Sequence, residues 1–330
     1  MPTNIGSLMV FGAIEQEWLA VGGLAGLLGP PVSNESPTYD GRGRAQTFQR
    51  GIVSWHPTIG AHEVHGSILA RWLEAGRERF GYPTTDESPC PDNIGRFNHF
   101  RALQFPGGPE CSIYWSPATG AHDVYGAIRD KWKSMGFERS VLGYPIVSEH
   151  DQPGFGRTQR FQGGVITWTN TGGDAAEHEV SGDTVRFDSG QVNSDVPLNG
   201  NVQLVVQRNG NFTFTTSAHD SGAGNISYGI VAILVTAVGD ALEFVHSGHV
   251  EGTTAGIPIF TTPQRNDHFF TAGQNPFLTA HFDDIIASGR LLVTLTGVDK
   301  LAGAISDLLA QAATEAVQGG IKALVASITG

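Results

Sequence analysis

Apolar residues recur in the same order three times in the first half of the chain. Each copy opens with an isoleucine and a tryptophan four residues apart, the spacing of neighbours on one helix face. A Gly-Pro-containing element follows, and then phenylalanine and tryptophan in two short strand-like runs. The helical pairs are Ile14 and Trp18, Ile68 and Trp72, and Ile128 and Trp132. The pattern predicts three short helix-plus-β-hairpin units, over about residues 12–66, 66–126 and 126–182.

Glycine and proline mark where these predicted elements end. Gly76 and Gly136 follow the second and third helices. The element Leu142-Gly143-Tyr144-Pro145 combines a glycine that is free to take positive φ with a proline that cannot continue a helix. One such unit cannot bury its own apolar face, so neighbouring units must stack. We therefore expect the helix tryptophans Trp18, Trp72 and Trp132 to lie in the core.

From about residue 183 the apolar pattern becomes typical of strands. Residues 202–206 and 212–216 are joined by Asn209-Gly210-Asn211, a strong hairpin signal, and further strands are predicted at 228–238, 241–246 and 291–296. Apolar residues at helical spacing then predict a C-terminal helix over 299–327. The fold class is α+β and mostly β. A repeat domain over 1–182 precedes an antiparallel β-sandwich domain with a C-terminal helix over 183–330.

Polar landmarks recur together with the apolar ones. Each copy has a glutamate, a Gly-Arg pair and a strand tryptophan, and the first two end in a Gly-Ala-His turn. The sets are Glu35, Gly43-Arg44, Trp55 and His62; Glu87, Gly95-Arg96, Trp115 and His122; and Glu149, Gly156-Arg157 and Trp168. This combination, with Leu-Gly-Tyr-Pro, resembles the LGFP repeat over residues 12–182. Residues 183–330 resemble no family that we identify.

The resemblance carries functional expectations. It implies a non-catalytic module that holds its host protein to the actinobacterial cell envelope, through arabinogalactan or a related polysaccharide. Two departures stand out. The first copy reads Leu28-Gly29-Pro30-Pro31, without an aromatic residue before the last proline, and the third copy lacks the Thr-Gly-Ala-His turn. We therefore expect the first two copies to carry the ligand and the third to serve as a joint to the second domain.

Composition narrows the range of partners. The net charge of -12 argues against nucleic acid, which needs a basic surface. No apolar run reaches the roughly 18 residues of a membrane span, and no cofactor motif is found. The chain start lacks the basic and apolar segments of a secretory signal. A secreted or envelope-associated location follows from the resemblance, and the cytoplasm is left open.

The two cysteines, Cys90 and Cys111, both lie in the middle copy. The spacing from the Gly-Arg glycine to the strand tryptophan is longer by eight residues in this copy than in the others, which places Cys111 in an insertion. A disulfide that staples the insertion is the simplest interpretation and would imply an oxidising compartment. The alternative is two buried free thiols.

Two sets of side chains are candidates for a sugar site. They are Trp55, Arg44 and His62 in the first copy, and Trp115, Arg96, His122 and Tyr114 in the second. An indole can stack on the apolar face of a sugar ring, while arginine and histidine hydrogen-bond its hydroxyls. The alternative is that these residues recur because the unit needs them to fold. Recurrence within one chain does not separate the two.

Two other classes of function stay open. A hydrolase would use residues 183–330, around His219, Asp220 and the weak metal-ligand candidates His246 and His249. No Gly-x-Ser-x-Gly nucleophile motif supports it. A self-assembling structural protein would use an exposed face of the C-terminal helix, although packing of that helix on its own sandwich is the default expectation.

Overall fold

The computed structural model describes residues 3–152, 156–169, 175–252, 264–315 and 323–329. Its contacts form two compact units. The first comprises Met1–Glu149 and Gln159–Gln162, and the second His150–Thr158 and Gly163–Gly330. The third copy of the repeat therefore contributes chain to both units. The domain boundary predicted after residue 182 was defined by where the repeat pattern ends, not by contacts, and it stays a prediction.

Among its described residues, the first unit has an N-terminal hairpin, three α-helices and two small antiparallel sheets. In chain order the elements are β1 (Thr3–Ile5), β2 (Leu8–Val10), α1 (Gly12–Ala20), β3 (Ser36–Pro37), β4 (Arg44–Thr47), β5 (Gly51–His56), β6 (Gly60–His65), α2 (Gly66–Glu74), β7 (Tyr82–Pro83), β8 (Ser88–Pro89), β9 (Arg96–Arg101), β10 (Glu110–Ser116), β11 (Gly120–Tyr125) and α3 (Gly126–Met135). The sheets run β3-β4-β5-β6 and β11-β10-β9-β7, with β8 paired to β9. These elements confirm the helix-plus-hairpin prediction for the first two copies.

Helices and sheets alternate as layers in this unit. Successive strand residues point to opposite sheet faces. Val53 packs with Ile14 and Trp18 of α1. Its neighbour Ile52 packs instead with α2. Each sheet therefore has a helix on both faces, so one copy completes the core of the next.

The isoleucine–tryptophan pairs are buried as predicted, each at 2% exposure or less. The indole also links helix α2 to the segment that follows it, because Trp72 Nε1 donates to the carbonyl of Gly81 at 3.0 Å. Trp18 bonds Gly29 in the same way at 2.8 Å. Gly76, at φ 102°, ends α2 in the left-handed conformation that favours glycine. Burial, a hydrogen bond and a positive φ thus explain why the isoleucine, tryptophan and glycine recur in the repeat.

The predicted disulfide is wrong, since Cys90 and Cys111 are both buried free thiols. Cys111 lies on β10 opposite Phe100, whereas the Cys90 amide donates to the carbonyl of Gly95. Gly95, which immediately precedes β9, and Phe100 are five residues apart, which is roughly 16 Å at about 3.3 Å per residue. A disulfide needs Cα atoms within about 7 Å. The eight additional residues form the loop between β9 and β10.

The second unit contains a β-sandwich with helices. Its elements, including β13, which the two units share, are β12 (His150–Gln152), β13 (Gly156–Phe161), β14 (Gly164–Thr169), β15 (Ala176–Ser181), β16 (Thr184–Asp188), β17 (Val192–Asn193), β18 (Leu198–Gln207), β19 (Asn211–Asp220), β20 (Ile226–Val235), β21 (Asp240–Val250), β22 (Asn266–Gln274), α4 (Pro276–Ala280), α5 (Phe282–Ser288), β23 (Arg290–Gly297), α6 (Leu301–Glu315) and β24 (Ala323–Thr329). One sheet runs from β12 through β16, β18 and β19 to β22, and the other is β23-β20-β21-β24. The predicted hairpin through Gly210 and the mostly β fold class are confirmed.

The sandwich core explains the long apolar run of β20. Ile230, Ala232 and Leu234 face the other sheet in the main core. Val231 and Ile233 face α6, together with Leu308 of that helix. Both faces of the strand are therefore covered, as in the interior strand of a layered domain.

The predicted C-terminal helix over 299–327 is correct only in its first part. Helix α6 covers Leu301–Glu315, residues 316–322 of the prediction lie outside the described residues, and Ala323–Thr329 forms β24. This strand pairs in parallel with β21, with Ala323 opposite Asp240. Pairing between distant segments overrides the local helical spacing of apolar residues here. In the part of the chain that the structure describes, no helix is long and apolar enough to cross a membrane.

Candidate functional site

Two equivalent cavities open at the starts of α1 and α2. One has a volume of about 360 Å³ and is lined by Phe11, Gly12, Ala13, Ile14, Glu35, Arg44 and Trp55. The other has a volume of about 170 Å³ and is lined by His65, Gly66, Ser67, Ile68, Glu87, Arg96 and Trp115. We call them the first and second pockets. Each brings together the tryptophan, arginine and glutamate landmarks of its copy with the N-terminus of the preceding helix.

A cross-strand pair forms the floor of each pocket. Arg44 on β4 lies directly opposite Trp55 on β5, and Arg96 on β9 lies opposite Trp115 on β10. Residues so paired point to the same face with Cβ atoms about 5 Å apart. Both tryptophans are half-buried. The indoles therefore pack against the core and keep part of their surface open to a ligand.

Buried carboxylates hold the arginines. Glu87 Oε1 accepts from Arg96 Nε at 2.5 Å, and the exposed fractions of the two side chains are 6% and 44%. In the first pocket Arg44 Nε and Glu35 Oε1 lie 3.6 Å apart. Burial raises the pKa of Glu35, and Arg44 opposes that shift. Each guanidinium is thus fixed at one edge and presents its remaining donors to solvent.

A second layer of acidic contacts supports the second pocket. His65 Nδ1 bonds Glu63 Oε2 at 2.7 Å, and its Nε2 lies 3.4 Å from Glu87 Oε1. The hydrogen bond to Glu63 raises the pKa of His65. Glu63 also accepts from the backbone amide of Glu87 at 2.9 Å. Phe11 takes the place of His65 in the first pocket, which therefore has a more apolar wall.

The helix N-termini at the pockets have no side-chain caps. Phe11 and His65 stand at the N-cap positions of α1 and α2 without a capping hydrogen bond. The first N–H groups of a helix have no partner within the helix. Gly12 and Gly66 also have open space where a Cβ would stand. Each pocket thus combines an aromatic face, a cation, a carboxylate and backbone donors, and this set suits a ligand rich in hydroxyl groups.

The structure does not bring the other predicted residues into the pockets. His62 pairs with Ser54 and bonds Asp86 at 2.9 Å. The register places His62 one residue out of step with Trp55, hence on the opposite sheet face. His122 is related to Trp115 in the same way, and its Nε2 lies 2.9 Å from the carbonyl of Thr119.

Tyr114 is likewise directed away from the second pocket. It is buried at 2% exposure and packs edge-on against Trp132 of α3, with ring centroids 4.7 Å apart. Burial keeps the pKa of its hydroxyl well above the ordinary range. Its surroundings are those of a core residue.

Two parts of the pockets were not predicted from the sequence, the glutamates and the helix N-termini. Glu35 and Glu87 recur in the repeat but had no predicted role, and no local pattern indicated that the helix N-termini would lie beside them. A further cavity of about 380 Å³ is lined by Phe80, Phe105 and Tyr125 among others. Phe105 belongs to the loop inserted between β9 and β10. The longer Gly-to-Trp spacing of the middle copy was the signal that could have indicated this cavity.

The histidines of the second unit do not converge in the described structure. His246 and His249 are three residues apart on β21, so they point to opposite faces. His246 is buried against Phe269, with ring centroids 4.0 Å apart, and burial lowers its pKa. His219 bonds Asn266 at 2.8 Å, and its neighbour Asp220 is fully buried.

Among the described residues, two clusters have the donor atoms for a metal ion. One is Asp240, His281 and Asp284, and the other is Cys90, Asp92 and Glu138. In the first, His281 Nδ1 already pairs with Asp240 Oδ2 at 2.8 Å, and both side chains are partly exposed. Neither cluster contains His246 or His249.

Comparison with known proteins identifies the repeats. The model of the LGFP repeat matches residues 28–79, 80–140 and 142–186. These three matches confirm the resemblance, and residues after 186 match no family model. A search of curated proteins finds no match to the chain.

Proposed function

We propose that this protein, which carries three LGFP repeats over residues 28–186, is a non-catalytic binding protein of the cell envelope. Its ligand is a neutral polysaccharide of the arabinogalactan kind, held in the first and second pockets. The observation that carries the proposal is the recurrence of one Trp–Arg–Glu set beside an uncapped helix start in two successive copies. The LGFP family is associated with cell walls, which agrees with this role.

The chemistry of the pockets suits a sugar ring. The C–H face of a pyranose or furanose can stack on the exposed part of Trp55 or Trp115. Ring hydroxyls accept hydrogen bonds from the arginine and from free helix amides, and they donate to the glutamate. These groups are already positioned by the strand register and by the Arg–Glu pair, so little ordering cost remains for binding.

Charge favours a neutral glycan over an anionic polymer. The chain has a net charge of -12, and like charge repels a polyanion at long range. Each pocket arginine is paired with a carboxylate, so the pocket offers no excess positive charge to a phosphate or uronate. A polymer with repeated sugar units can occupy both pockets at once, which increases avidity without new contacts.

The whole chain provides the direct test. Purified actinobacterial arabinogalactan, immobilised, is expected to retain the protein, and soluble arabinogalactan is expected to release it. A glycan array on the same protein identifies the sugar unit. Failure of every glycan to bind would overturn the proposed function. Release of new reducing ends from the glycan during incubation would instead favour the hydrolase alternative.

For the sandwich we propose a second recognition surface on the outer face of β19 and β22. Phe270 is 64% exposed there and lies opposite Thr215. Its neighbour Phe269 packs on the core side. An exposed aromatic ring on a hydroxyl-bearing sheet face suits the same class of ligand. Weaker glycan retention by Phe270→Ala, with an unchanged circular dichroism spectrum, would support this surface, and unchanged retention would remove it.

A further inference from the structure

Cys90, Asp92 and Glu138 meet where the second copy contacts the turn after α3. One donor atom from each lies within 4.8 Å of the other two. Cys90 is 1% exposed and Glu138 is 7% exposed, whereas Asp92 is only partly buried. The cluster therefore has a closed interior and one edge near solvent, through which a small ion can enter.

The carboxylate of Glu138 is not fully hydrogen-bonded inside this cluster. Its Oε1 is buried and has no hydrogen-bond partner. Leaving a buried carboxylate oxygen without a partner costs more free energy than a neutral polar atom does. A group that donates to, or coordinates, this oxygen is therefore expected in the functional molecule.

The contact of the first copy with the turn after α2 is the earlier junction, and the contact of the second copy with the turn after α3 is the later one. At the earlier junction the equivalent glutamate is hydrogen-bonded without a metal. Glu78 is equivalent to Glu138, and its Oε1 accepts from Ser54 Oγ at 3.0 Å. Arg77 adds a second donor to it at 3.3 Å. At the later junction Tyr114 replaces Ser54, and Phe137 replaces Arg77. Phe137 has no donor group, and the Tyr114 hydroxyl makes no hydrogen bond to Glu138 Oε1.

A third exchange occurs at the same place. Cys90 replaces Thr38 of the earlier junction, where Thr38 Oγ1 lies 2.6 Å from the Tyr82 hydroxyl oxygen and donates to Asp40 Oδ1 at 2.9 Å. The later junction therefore lacks both hydrogen bonds to this glutamate oxygen and has a thiol beside it. Sulfur and two carboxylates in one buried cluster are ligands for a borderline-soft divalent ion rather than for Ca²⁺ or Mg²⁺.

We propose that Cys90, Asp92 and Glu138 form a binding site for a divalent transition-metal ion of the Zn²⁺ class. Cys90 Sγ and one oxygen from each carboxylate are the protein ligands, which leaves a position for water. Tyr144 supports the site, because its hydroxyl donates to Asp92 Oδ2 at 2.7 Å and so orients that carboxylate. The ion would tie the second copy to the turn that follows α3.

Binding releases one proton. The ion displaces the thiol proton of Cys90, which passes to solvent while sulfur coordinates as thiolate. The three ligands carry three negative charges against the two positive charges of the ion, and the guanidinium groups of Arg96 and Arg139 are near enough to interact with the cluster.

Cobalt(II) titration of the full chain tests this site. After removal of metals with a chelator, Co²⁺ is expected to give the near-ultraviolet charge-transfer absorption of one thiolate–cobalt bond per chain. Zn²⁺ is expected to abolish that absorption by displacement. Coordination by surface histidines or carboxylates alone gives no such absorption. Its absence in the unaltered protein would overturn the proposal without recourse to any variant.

Matched variants identify the sulfur. Cys90→Thr restores the residue of the earlier junction and is expected to lose the absorption. Cys111→Ala alters the other buried thiol and is expected to keep it. Glu138→Gln is expected to weaken Co²⁺ binding by more than about tenfold. Absorption that persists in Cys90→Thr, or Co²⁺ affinity that is unchanged in Glu138→Gln, would contradict the assigned ligands.

Discussion

The hydroxyl of Tyr82 donates to Asp40 Oδ1 in the preceding copy at 2.8 Å. Tyr144 repeats the contact with Asp92 at 2.7 Å. A Cβ on Gly43 would stand 2.7 Å from the Tyr82 hydroxyl, so the Gly-Arg glycine leaves room for the tyrosine of the next copy. The glycine of Gly-Arg in one copy and the tyrosine of the next copy therefore form one contact between copies, which we call the inter-copy joint. Pro30 stands at the tyrosine position in the first copy and has no hydroxyl to contribute.

Removal of the Tyr82 hydroxyl should weaken this joint. Tyr82→Phe removes one of the hydrogen bonds to Asp40 Oδ1, which keeps those from Thr38 Oγ1 and the Gly43 amide, at a cost of about 1 kcal/mol in the free energy of unfolding. Urea unfolding followed by tryptophan fluorescence measures it, because all six tryptophans lie in the repeats. Tyr39→Phe is the control, since its hydroxyl makes one long contact, 3.4 Å to Gln104. Equal stability of the two variants would contradict the joint.

Glu17 makes the stability of the first unit depend on pH. Burial raises its pKa to about 7, with Asp86 and Glu63 raising it further and His62 opposing them. Between the ordinary value of 4.5 and about 7 the folded chain binds the proton more tightly than the unfolded chain does. The free energy of unfolding therefore falls as pH rises through this window.

Substitution of Glu17 should remove that dependence. Glu17→Gln is expected to be more stable than the unaltered protein at pH 8 by about 1 kcal/mol, after allowance for solvent screening, and equal to it at pH 4. Gln16→Ala, an exposed change on the same helix without a titrating group, should have the same effect at both pH values. The measurement is urea unfolding at each pH. A Glu17→Gln variant that is less stable at pH 8 would show that the charged form is favoured.

The part of this fold that the sequence predicts is the part set by local spacing. The four-residue step from Ile68 to Trp72 defines a helix face wherever the helix lies. Placing His62 required the strand register, because recurrence does not show which sheet face a residue takes. The separation of Cys90 from Cys111 and the pairing of β24 with β21 are contacts between distant segments. The composition of the pockets likewise depends on a helix start meeting a hairpin from later in the chain.

The two cysteines should behave as protected thiols. Burial raises the pKa of the Cys111 thiol to about 12, as it does for Cys90, so little reactive thiolate exists at neutral pH. We expect a thiol reagent to label neither residue rapidly in the folded, chelator-treated protein and to label both after unfolding without reductant. Counting labelled thiols by mass spectrometry checks this. No labelling after unfolding would indicate a disulfide.

The C-terminal helix should stabilise the sandwich. Leu308 is 6% exposed and packs against β20. Leu308→Ala is expected to lower the free energy of unfolding by about 2–4 kcal/mol, through lost burial and the cavity left behind. Ser306→Ala, on the exposed face of α6, should change it little. Calorimetry of the full chain gives both values, and a neutral Leu308→Ala would indicate that the helix packs elsewhere in solution.

Glycan affinity of paired variants of the full chain tests the central claim most directly. Arg44→Gln with Arg96→Gln, and separately Trp55→Ala with Trp115→Ala, should each weaken binding to arabinogalactan by at least about tenfold. The control pair, His62→Ala with His122→Ala, alters the opposite sheet face and should bind within about twofold of the unaltered protein. Circular dichroism confirms that each variant is folded. Affinity lost in the histidine pair and kept in both pocket pairs would contradict the account.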